Sequence, residues 1–167
     1  MSNLIKNTYL FDELSKDAKE QAYSEWIECF EHPMLDEALE PVNIIESETG
    51  IEFNYWDVSC EGYIFELSDT QEVDVEQTID HLTQLKGSDK FCNHRSSEVF
   101  VKTLRDSLNI KQALEAMFED ITADLVKIYS HNEFEKNWSS AYYYYDHGTI
   151  SGVRNSSDFQ SIPHYST

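Results

Sequence analysis

Apolar residues recur every three to four positions along most of the chain, which is the spacing of a helix that buries one face. Ser15 is a favourable N-cap and predicts a first helix over 16–31, with a core face and an opposite face rich in glutamate. The same spacing predicts further helices over 34–48, 75–86, 97–108, 110–131 and 132–138. Pro41 lies inside the first of these segments and is expected to weaken or split it, because proline removes a helical hydrogen bond.

Two regions are rich in residues that favour strands, and the first of them alternates apolar and polar positions over Ile51–Ser59. Each region holds two such runs separated by a short turn that contains glycine, the pattern of a β-hairpin. The strands are predicted over Ile51–Ser59, Tyr63–Leu67, Ala141–Asp146 and Thr149–Val153. The turns fall at Cys60–Gly62 and at His147–Gly148.

Together these elements predict an α+β fold. We expect a single domain over 1–154 with about five helices and a small antiparallel sheet built from hairpins. The last residues, 155–167, are polar and are expected to form a mobile tail.

Charge divides the chain into two halves. The 167 residues carry 32 Asp and Glu against 12 Lys and Arg, for a net charge of −20. Residues 1–80 hold 21 of the acids and three of the bases, so this half is strongly acidic while 81–154 is near neutral. Between Glu20 and Leu85 there are 18 acids and no lysine or arginine. Such a run is either a solvated surface that aids solubility or a negative surface for a positive partner, and we favour the second interpretation.

This acidity argues against direct binding to nucleic acid, which needs clustered Lys and Arg, and against binding to an anionic membrane surface. No apolar run approaches the roughly 18 residues of a spanning helix. The N-terminal residues lack the apolar core of a secretory signal. Cys29, Cys60 and Cys92 are odd in number and form no CxxC pair, so we expect buried, reduced thiols and a cytoplasmic location.

Motifs that carry catalysis or cofactor binding are missing from the sequence. It has no GxSxG nucleophile elbow, no HExxH zinc motif and neither of the glycine-rich phosphate loops. Zinc would need ligands gathered from scattered positions such as Cys92 and His94. We therefore predict that the protein is not an enzyme and holds no cofactor and no metal, with a small enzyme kept as an alternative.

The candidate functional residues are acids with aromatic residues among them, because aromatic anchors inside an acidic rim suit an interface with an Arg- and Lys-rich protein. On the first helix they are Glu20, Glu25, Glu28 and Glu31. On the second helical segment they are Glu37, Glu40, Glu46 and Glu48. On the first hairpin they are Tyr55, Trp56, Asp57, Glu61 and Glu66. Tyr55 or Trp56 is the expected aromatic anchor; the alternative is that the aromatic residues are core and the acids merely solvated.

Three stretches of the chain carry a family resemblance. Phe11–Ala22 reads FDELSKDAKEQA, Gly50–Val58 reads GIEFNYWDV, and Ile128–Ile150 runs through an aromatic-rich strand and Asp-His-Gly to the last strand. These stretches resemble an uncharacterised group of bacteriophage and prophage proteins whose opening follows F-x-E-L-S-x-x-A-K-x-x-A. The resemblance covers about half of the chain and implies a fold more than a function. Some members of the group are labelled antitoxins, and none has an assigned catalytic residue.

A phage setting gives the charge a particular meaning. Phages make small acidic proteins that block host defence by occupying nucleic-acid grooves, as anti-CRISPR and anti-restriction proteins do. A groove that neutralises phosphates also accepts carboxylates at similar spacing. We therefore predict an inhibitor that mimics nucleic acid and occupies the basic groove of a host nucleic-acid-binding defence complex, in the cytoplasm of the host bacterial cell.

Three other roles are left open by the sequence. They are an antitoxin-like protein that neutralises a basic toxin, a small enzyme and a virion component. The sequence is also compatible with a homodimer.

Overall fold

The computed structural model describes residues 7–69, 72–85, 91 and 94–154. Its backbone contacts divide the chain into two compact units, which we describe separately. The terminal unit contains Met1–Pro33 and Ile128–Thr167, and the central unit contains Met34–Lys127. The predicted α+β class is confirmed, while the single domain over 1–154 stays a prediction. The predicted tail, 155–167, lies outside the described residues.

The terminal unit begins with a short 3-10 turn at Phe11–Glu13 and the helix α1 at Lys16–Cys29. Ser15 caps α1 as predicted, because its hydroxyl accepts a hydrogen bond from the backbone N–H of Ala18 at 3.2 Å. At the other end, irregular helical turns cover His131–Glu133, Phe134–Trp138 and Ser139–Ala141. They lead into the antiparallel strands β3 at Tyr142–Tyr144 and β4 at Ile150–Val153.

Aromatic rings fill the core of the terminal unit. Trp26 on α1 is fully buried, and its ring centre lies 5.0 Å from Phe30 and 5.1 Å from Phe134. Tyr142 and Tyr144 on β3 are fully buried as well. The backbone of Tyr144 pairs with that of Tyr9, so the start of the chain is hydrogen-bonded to β3.

In its described residues, the central unit contains four helices of more than one turn and one hairpin. The helices are α2 at Leu35–Glu48, α3 at Val75–Gln84, α4 at Arg95–Ser107 and α5 at Ile110–Ile128, whose last residue belongs to the terminal unit. The strands β1 at Phe53–Ser59 and β2 at Gly62–Leu67 pair antiparallel. The cap predicted for α3 is present, since the Asp74 side chain accepts a hydrogen bond from Gln77 N–H at 2.9 Å.

Pro41 does not split α2, which continues through it to Glu48. A proline inside a helix costs about 3 kcal/mol. The same helix buries Val42, Ile44 and Ile45, and each buried aliphatic side chain contributes about 1.5–3 kcal/mol. Burial of this face therefore outweighs the loss at Pro41.

The two predicted hairpins are present, but they do not join into one sheet. In the described residues β1 pairs with β2, and β3 pairs with β4, as two separate two-stranded sheets. The expectation of buried thiols is wrong for two cysteines, because Cys29 is exposed and Cys60 is half-buried; Cys92 lies outside the described residues. None of the described helices combines the length and the apolar character that crossing a membrane requires.

Candidate partner-binding surface

Most carboxylates of the stretch without Lys and Arg, residues 20–85, are exposed to solvent. Fifteen of its 18 acids are exposed, and the other three, Glu25, Glu40 and Glu48, are half-buried. Apart from Glu25 and Glu52, none of these acids forms an ion pair with lysine or arginine in the part of the chain that the structure describes. Among the described residues, most of this charge is therefore presented to solvent and is not neutralised by lysine or arginine.

The four candidate acids near α1 differ in their surroundings. Glu28 and Glu31 are exposed, and Glu20 is exposed with an oxygen 3.8 Å from the Nε2 atom of His131. Glu25 is half-buried, and its Oε2 atom accepts a hydrogen bond from the backbone N–H of Ile150 at 2.7 Å. Glu25 therefore helps to hold β4 against α1 and has less freedom to contact a partner than the other three acids.

Three of the four candidate acids of α2 contact side chains of the central unit. Glu40 lies 3.3 Å from Nε2 of His94, and Glu48 lies 3.0 Å from Nε2 of His81. Glu46 accepts a hydrogen bond from the indole N–H of Trp56 at 3.2 Å, which ties α2 to β1. Glu37 is exposed in the first turn of α2, where the helix dipole favours a negative charge.

The inner face of the β1–β2 hairpin packs on α5. The ring of Phe118 on α5 stacks with Phe65 at 5.2 Å and with Tyr63 at 5.6 Å, both with nearly parallel planes. The ring centre of Trp56 lies 6.1 Å from that of Phe118. Trp56 thus belongs to the inner face and is half-buried there, so it is not available as the aromatic anchor.

The outer face of the hairpin carries exposed apolar and acidic side chains in alternation. Tyr55 is 55% exposed and stands opposite Glu66, while Ile64 is 59% exposed and stands opposite Asp57. Both carboxylates are exposed. We call these four residues the outer face, and of the two aromatic candidates only Tyr55 lies on it. Glu61 is exposed in the turn between the strands.

A shallow cleft of about 280 Å³ opens at the turn end of the hairpin. It is lined by Asp57, Ser59, Glu61, Gly62, Tyr63 and Ile64. Two of the predicted acids, Asp57 and Glu61, therefore share one cleft with an exposed aliphatic side chain.

Sequence reasoning missed two acids on α5 that lie beside the hairpin. The hydroxyl of Tyr63 donates a hydrogen bond to Glu119 at 3.4 Å. Partial burial raises the pKa of Tyr63, and the negative charges of Glu119 and Glu115 raise it further. The two acids are four residues apart on one helix face. They fall in the near-neutral half of the sequence, so charge counted along the chain does not single them out.

A second acidic cleft, of about 270 Å³, includes Glu48, Glu72, Asp74 and His81 in its lining. Within the described ranges no group of three or more His, Cys, Asp or Glu side chains is placed to hold a metal ion. Of the two scattered residues that a zinc ion would need, His94 contacts Glu40 and Cys92 lies outside the described residues. The absence of a metal therefore stays a prediction for the whole chain.

The predicted residues fall into two groups, one in each unit. Glu20, Glu25, Glu28 and Glu31 belong to the terminal unit, and the candidates from Glu37 to Glu66 belong to the central unit. Within the central unit, α2 and the hairpin are joined through Glu46 and Trp56. The structure thus brings the α2 and hairpin candidates into one unit.

Comparison with protein-family models, with curated protein sequences and with solved structures found no match to this chain.

Proposed function

We propose that this protein is a phage-type inhibitor that binds the basic groove of a host nucleic-acid-binding defence complex, of the CRISPR or restriction kind, and mimics nucleic acid there. The observation that carries the proposal is the negative charge of the stretch from Glu20 to Leu85, which is exposed and has few Lys or Arg partners among the described residues. The protein acts by binding and has no catalytic role. It works in the cytoplasm of the host bacterial cell, where its target is found.

Electrostatic self-repulsion is the reason to assign this charge a function. Like charges crowded on one surface weaken the compact state. A surface kept for solubility alone needs far less than a net charge of −20 on 167 residues, since a magnitude of about 2–8 is sufficient for a small domain. Binding to a cationic groove offsets the repulsion, because each carboxylate gains a basic partner.

The same charge predicts how the complex forms. A groove that neutralises phosphates has a positive potential, which attracts an acidic protein over a distance of about one Debye length, 8–10 Å near physiological salt. Association should therefore be fast at low salt and slow steeply as salt rises. Carboxylates in the groove also exclude nucleic acid, so binding and inhibition are one event.

The first experiment identifies the target. The immobilised chain is exposed to a nuclease-treated bacterial lysate, and captured proteins are eluted with salt and identified by mass spectrometry. The captured complex is then purified and loaded with fluorescent DNA or guide RNA, and the chain is titrated in. We expect the chain to displace the nucleic acid, with an apparent affinity that falls as salt rises. Capture of a complex that keeps its nucleic acid bound at saturating chain would contradict the proposal.

Replacing acids by lysine tests whether binding depends on a particular surface or only on the net charge of the protein. Glu28 and Glu31 are exposed acids of the stretch without bases, and Glu98 and Asp106 are exposed acids of α4. Replacing either pair by lysine changes the net charge equally. We expect Glu28→Lys with Glu31→Lys to weaken displacement about tenfold or more, and Glu98→Lys with Asp106→Lys to weaken it much less. Glu25 is left intact in this test, because its hydrogen bond to Ile150 is part of the fold.

The antitoxin-like role makes a different prediction for the same titration. A basic toxin would be neutralised without any competition from nucleic acid unless its active groove is itself a nucleic-acid site. Displacement of bound nucleic acid from a defence complex therefore supports the inhibitor, and rescue from a co-expressed lethal toxin supports the antitoxin.

A further inference from the structure

We propose that the outer face of the β1–β2 hairpin is a docking site for an arginine-containing segment of the partner protein. In this site Tyr55 and Glu66 receive one arginine, and Asp57, Glu61 and Ile64 receive a second. The inference rests on the proposed function above and makes it specific, since it names the surface and the side chain that the surface recognises.

The pairing register builds two rows that each combine an apolar surface with a carboxylate. Tyr55 stands opposite Glu66 in one row, and Asp57 stands opposite Ile64 in the next. Directly opposite residues in an antiparallel pair have Cβ atoms about 4.5–5.5 Å apart, and successive rows on one face are about 7 Å apart. One basic side chain can therefore touch both members of a row, and a second basic side chain can use the other row.

Arginine fits the Tyr55–Glu66 row better than lysine does. The guanidinium group is planar, stacks on an aromatic ring and donates two parallel hydrogen bonds to a carboxylate. Lysine offers a compact and strongly hydrated ammonium group that does not stack in this way. In this row the ring of Tyr55 supplies the flat surface and Glu66 supplies the acceptor.

The second row opens into the cleft at the hairpin turn. Asp57 and Glu61 line this cleft together with Ile64, in a volume of about 280 Å³. The aliphatic stem of an arginine packs well against an apolar side chain while its charged end reaches a carboxylate. Two acids beside Ile64 provide that combination.

The outer face is held in place before a partner arrives. On the inner face, Phe65 and Tyr63 stack on Phe118 of α5 and so hold the hairpin against the helix. On the outer side, the amide of Asn54 donates a hydrogen bond to Oε1 of Glu66 at 3.3 Å and orients that carboxylate. Little conformational freedom is then lost when the partner binds, which favours affinity.

The negative charge of the outer face determines which class of partner can bind there. A purely apolar partner would bury Asp57 and Glu66 without giving them hydrogen bonds, which is costly. A nucleic acid would bring phosphates against the same carboxylates. Among protein segments, one that carries arginines supplies both the positive charge and the flat or aliphatic surface that the two rows require.

The test measures binding of two labelled peptides to the full chain. One peptide of about ten residues alternates arginine and valine, and the other has lysine in place of each arginine. Fluorescence anisotropy is recorded at about 50 mM salt, where screening is weak. We expect the arginine peptide to bind about fivefold or more tightly than the lysine peptide, because only arginine stacks on Tyr55.

Two double variants with equal loss of charge locate the site. Asp57→Asn with Glu66→Gln alters the outer face, and Glu98→Gln with Asp106→Asn alters α4. All four side chains are exposed, so the fold should survive in both variants. We expect the hairpin variant to weaken binding of the arginine peptide about tenfold and the α4 variant to weaken it less than about twofold.

Variants of Tyr55 test the stacking. Tyr55→Phe keeps the ring and should keep the full preference for arginine, whereas Tyr55→Leu removes the ring and should reduce the preference to the part that the paired hydrogen bonds to Glu66 supply. Amide chemical shifts provide a second measurement, because a peptide bound at this face should shift signals within 54–66.

The outcomes separate this inference from the proposed function. Equal weakening by the two double variants, shifts confined to other parts of the chain, or no binding of the arginine peptide at low salt would each overturn the docking site. Displacement of nucleic acid from a defence complex would then still support the inhibitor. Conversely, arginine-selective binding at the hairpin without any such displacement would support the docking site and contradict the inhibitor.

Discussion

The two hairpins of the protein look alike in sequence and differ in their surroundings. Each contains at least one aromatic-rich strand, and each pair of strands is joined through a glycine with positive φ, Gly62 at 147° and Gly148 at 98°. In the terminal unit Gly148 is buried against α1, and Tyr142 and Tyr144 on β3 are fully buried. In the central unit the turn at Gly62 is open to solvent, and one face of the hairpin remains exposed. The difference separates a hairpin whose side chains form part of a core from one that leaves a whole face exposed to solvent.

The carboxylates show the same contrast. Glu133 in the terminal unit accepts hydrogen bonds from His32 at 3.3 Å, Trp138 at 3.1 Å and Asn137 at 2.9 Å. Partial burial by itself raises the pKa of Glu133, but these hydrogen bonds outweigh it and hold the pKa below its ordinary value. Glu66 on the outer face has one hydrogen bond, from Asn54, and is exposed. An acid of the same type thus stabilises the fold in one unit and faces solvent in the other.

Replacing each turn glycine by alanine should give the largest difference in stability between the two hairpins. At Gly148 a Cβ atom would overlap the backbone of Ala18, whereas at Gly62 it would meet nothing within 4 Å. We expect Gly148→Ala to lower the free energy of unfolding by about 3 kcal/mol or more, through overlap added to strain. Gly62→Ala should cost about 1 kcal/mol from backbone strain alone. Denaturant unfolding measures both, and equal losses would show that the two turns do not differ as described.

Alkaline pH should destabilise the terminal hairpin next most strongly. Burial raises the pKa of Tyr142 to about 12, and burial together with the charges of Tyr142 and Glu25 raises that of Tyr144 as well. Both folded-state pKa values lie above the unfolded value near 10, so the stability that the buried tyrosines contribute is full below pH 10 and is lost as pH rises above it, for Tyr142 up to about 12. Each pH unit above 10 should cost about 1.4 kcal/mol per buried tyrosine.

Unfolding measured between pH 9 and pH 11 tests this expectation. Tyr142→Phe should reduce the pH dependence, because it removes one of the two ionising groups. A stability that does not change over this range would contradict the burial of both hydroxyls.

Replacing glutamate by glutamine should affect stability differently at Glu133 and at Glu66. Glu133→Gln should lower the free energy of unfolding by about 1–2 kcal/mol at neutral pH, since charge-assisted hydrogen bonds become weaker. Because the folded pKa of Glu133 is lowered, this difference should be full above the unfolded value of about 4.3 and disappear as pH falls through the folded value. Glu66→Gln should change stability by less than about 0.5 kcal/mol. Thermal unfolding at pH 7 and pH 3 checks both, and a larger loss for Glu66→Gln would reverse the comparison.

The smallest effect concerns the inner face of the central hairpin. Partial burial and the charges of Glu119 and Glu115 raise the pKa of Tyr63. Glu119→Gln should therefore lower this pKa while leaving it above the ordinary value, because burial and Glu115 remain. Titration of the Tyr63 ring signals by NMR measures the change. The control Glu98→Gln on α4 should leave the pKa of Tyr63 unchanged. An equal shift in both variants would show that Glu119 does not specifically raise this pKa.

Local sequence patterns predicted most of the fold. Ser15 and Asp74 form the predicted caps, and the periodic apolar positions place helices close to where they are found. The boundaries differ by a few residues: α5 ends at Ile128 rather than 131, and α4 begins at Arg95 rather than 97. The expectation that Pro41 splits the second helix was wrong, because the burial of its neighbours, a tertiary effect, keeps the helix continuous. The candidate site was less predictable, since a list of acids and aromatic residues does not say which of them face solvent.

By itself, the sequence determined the elements, their caps and the excess of negative charge, because these depend on residue type and on neighbours within one turn of helix or one hairpin. Tertiary structure alone decided that Trp56 packs inward and Tyr55 faces outward, that Glu25 is used within the fold, and that Glu115 and Glu119 lie beside the hairpin. The reason is that burial and charge–charge distance depend on which elements pack together, and residues far apart in the chain set both.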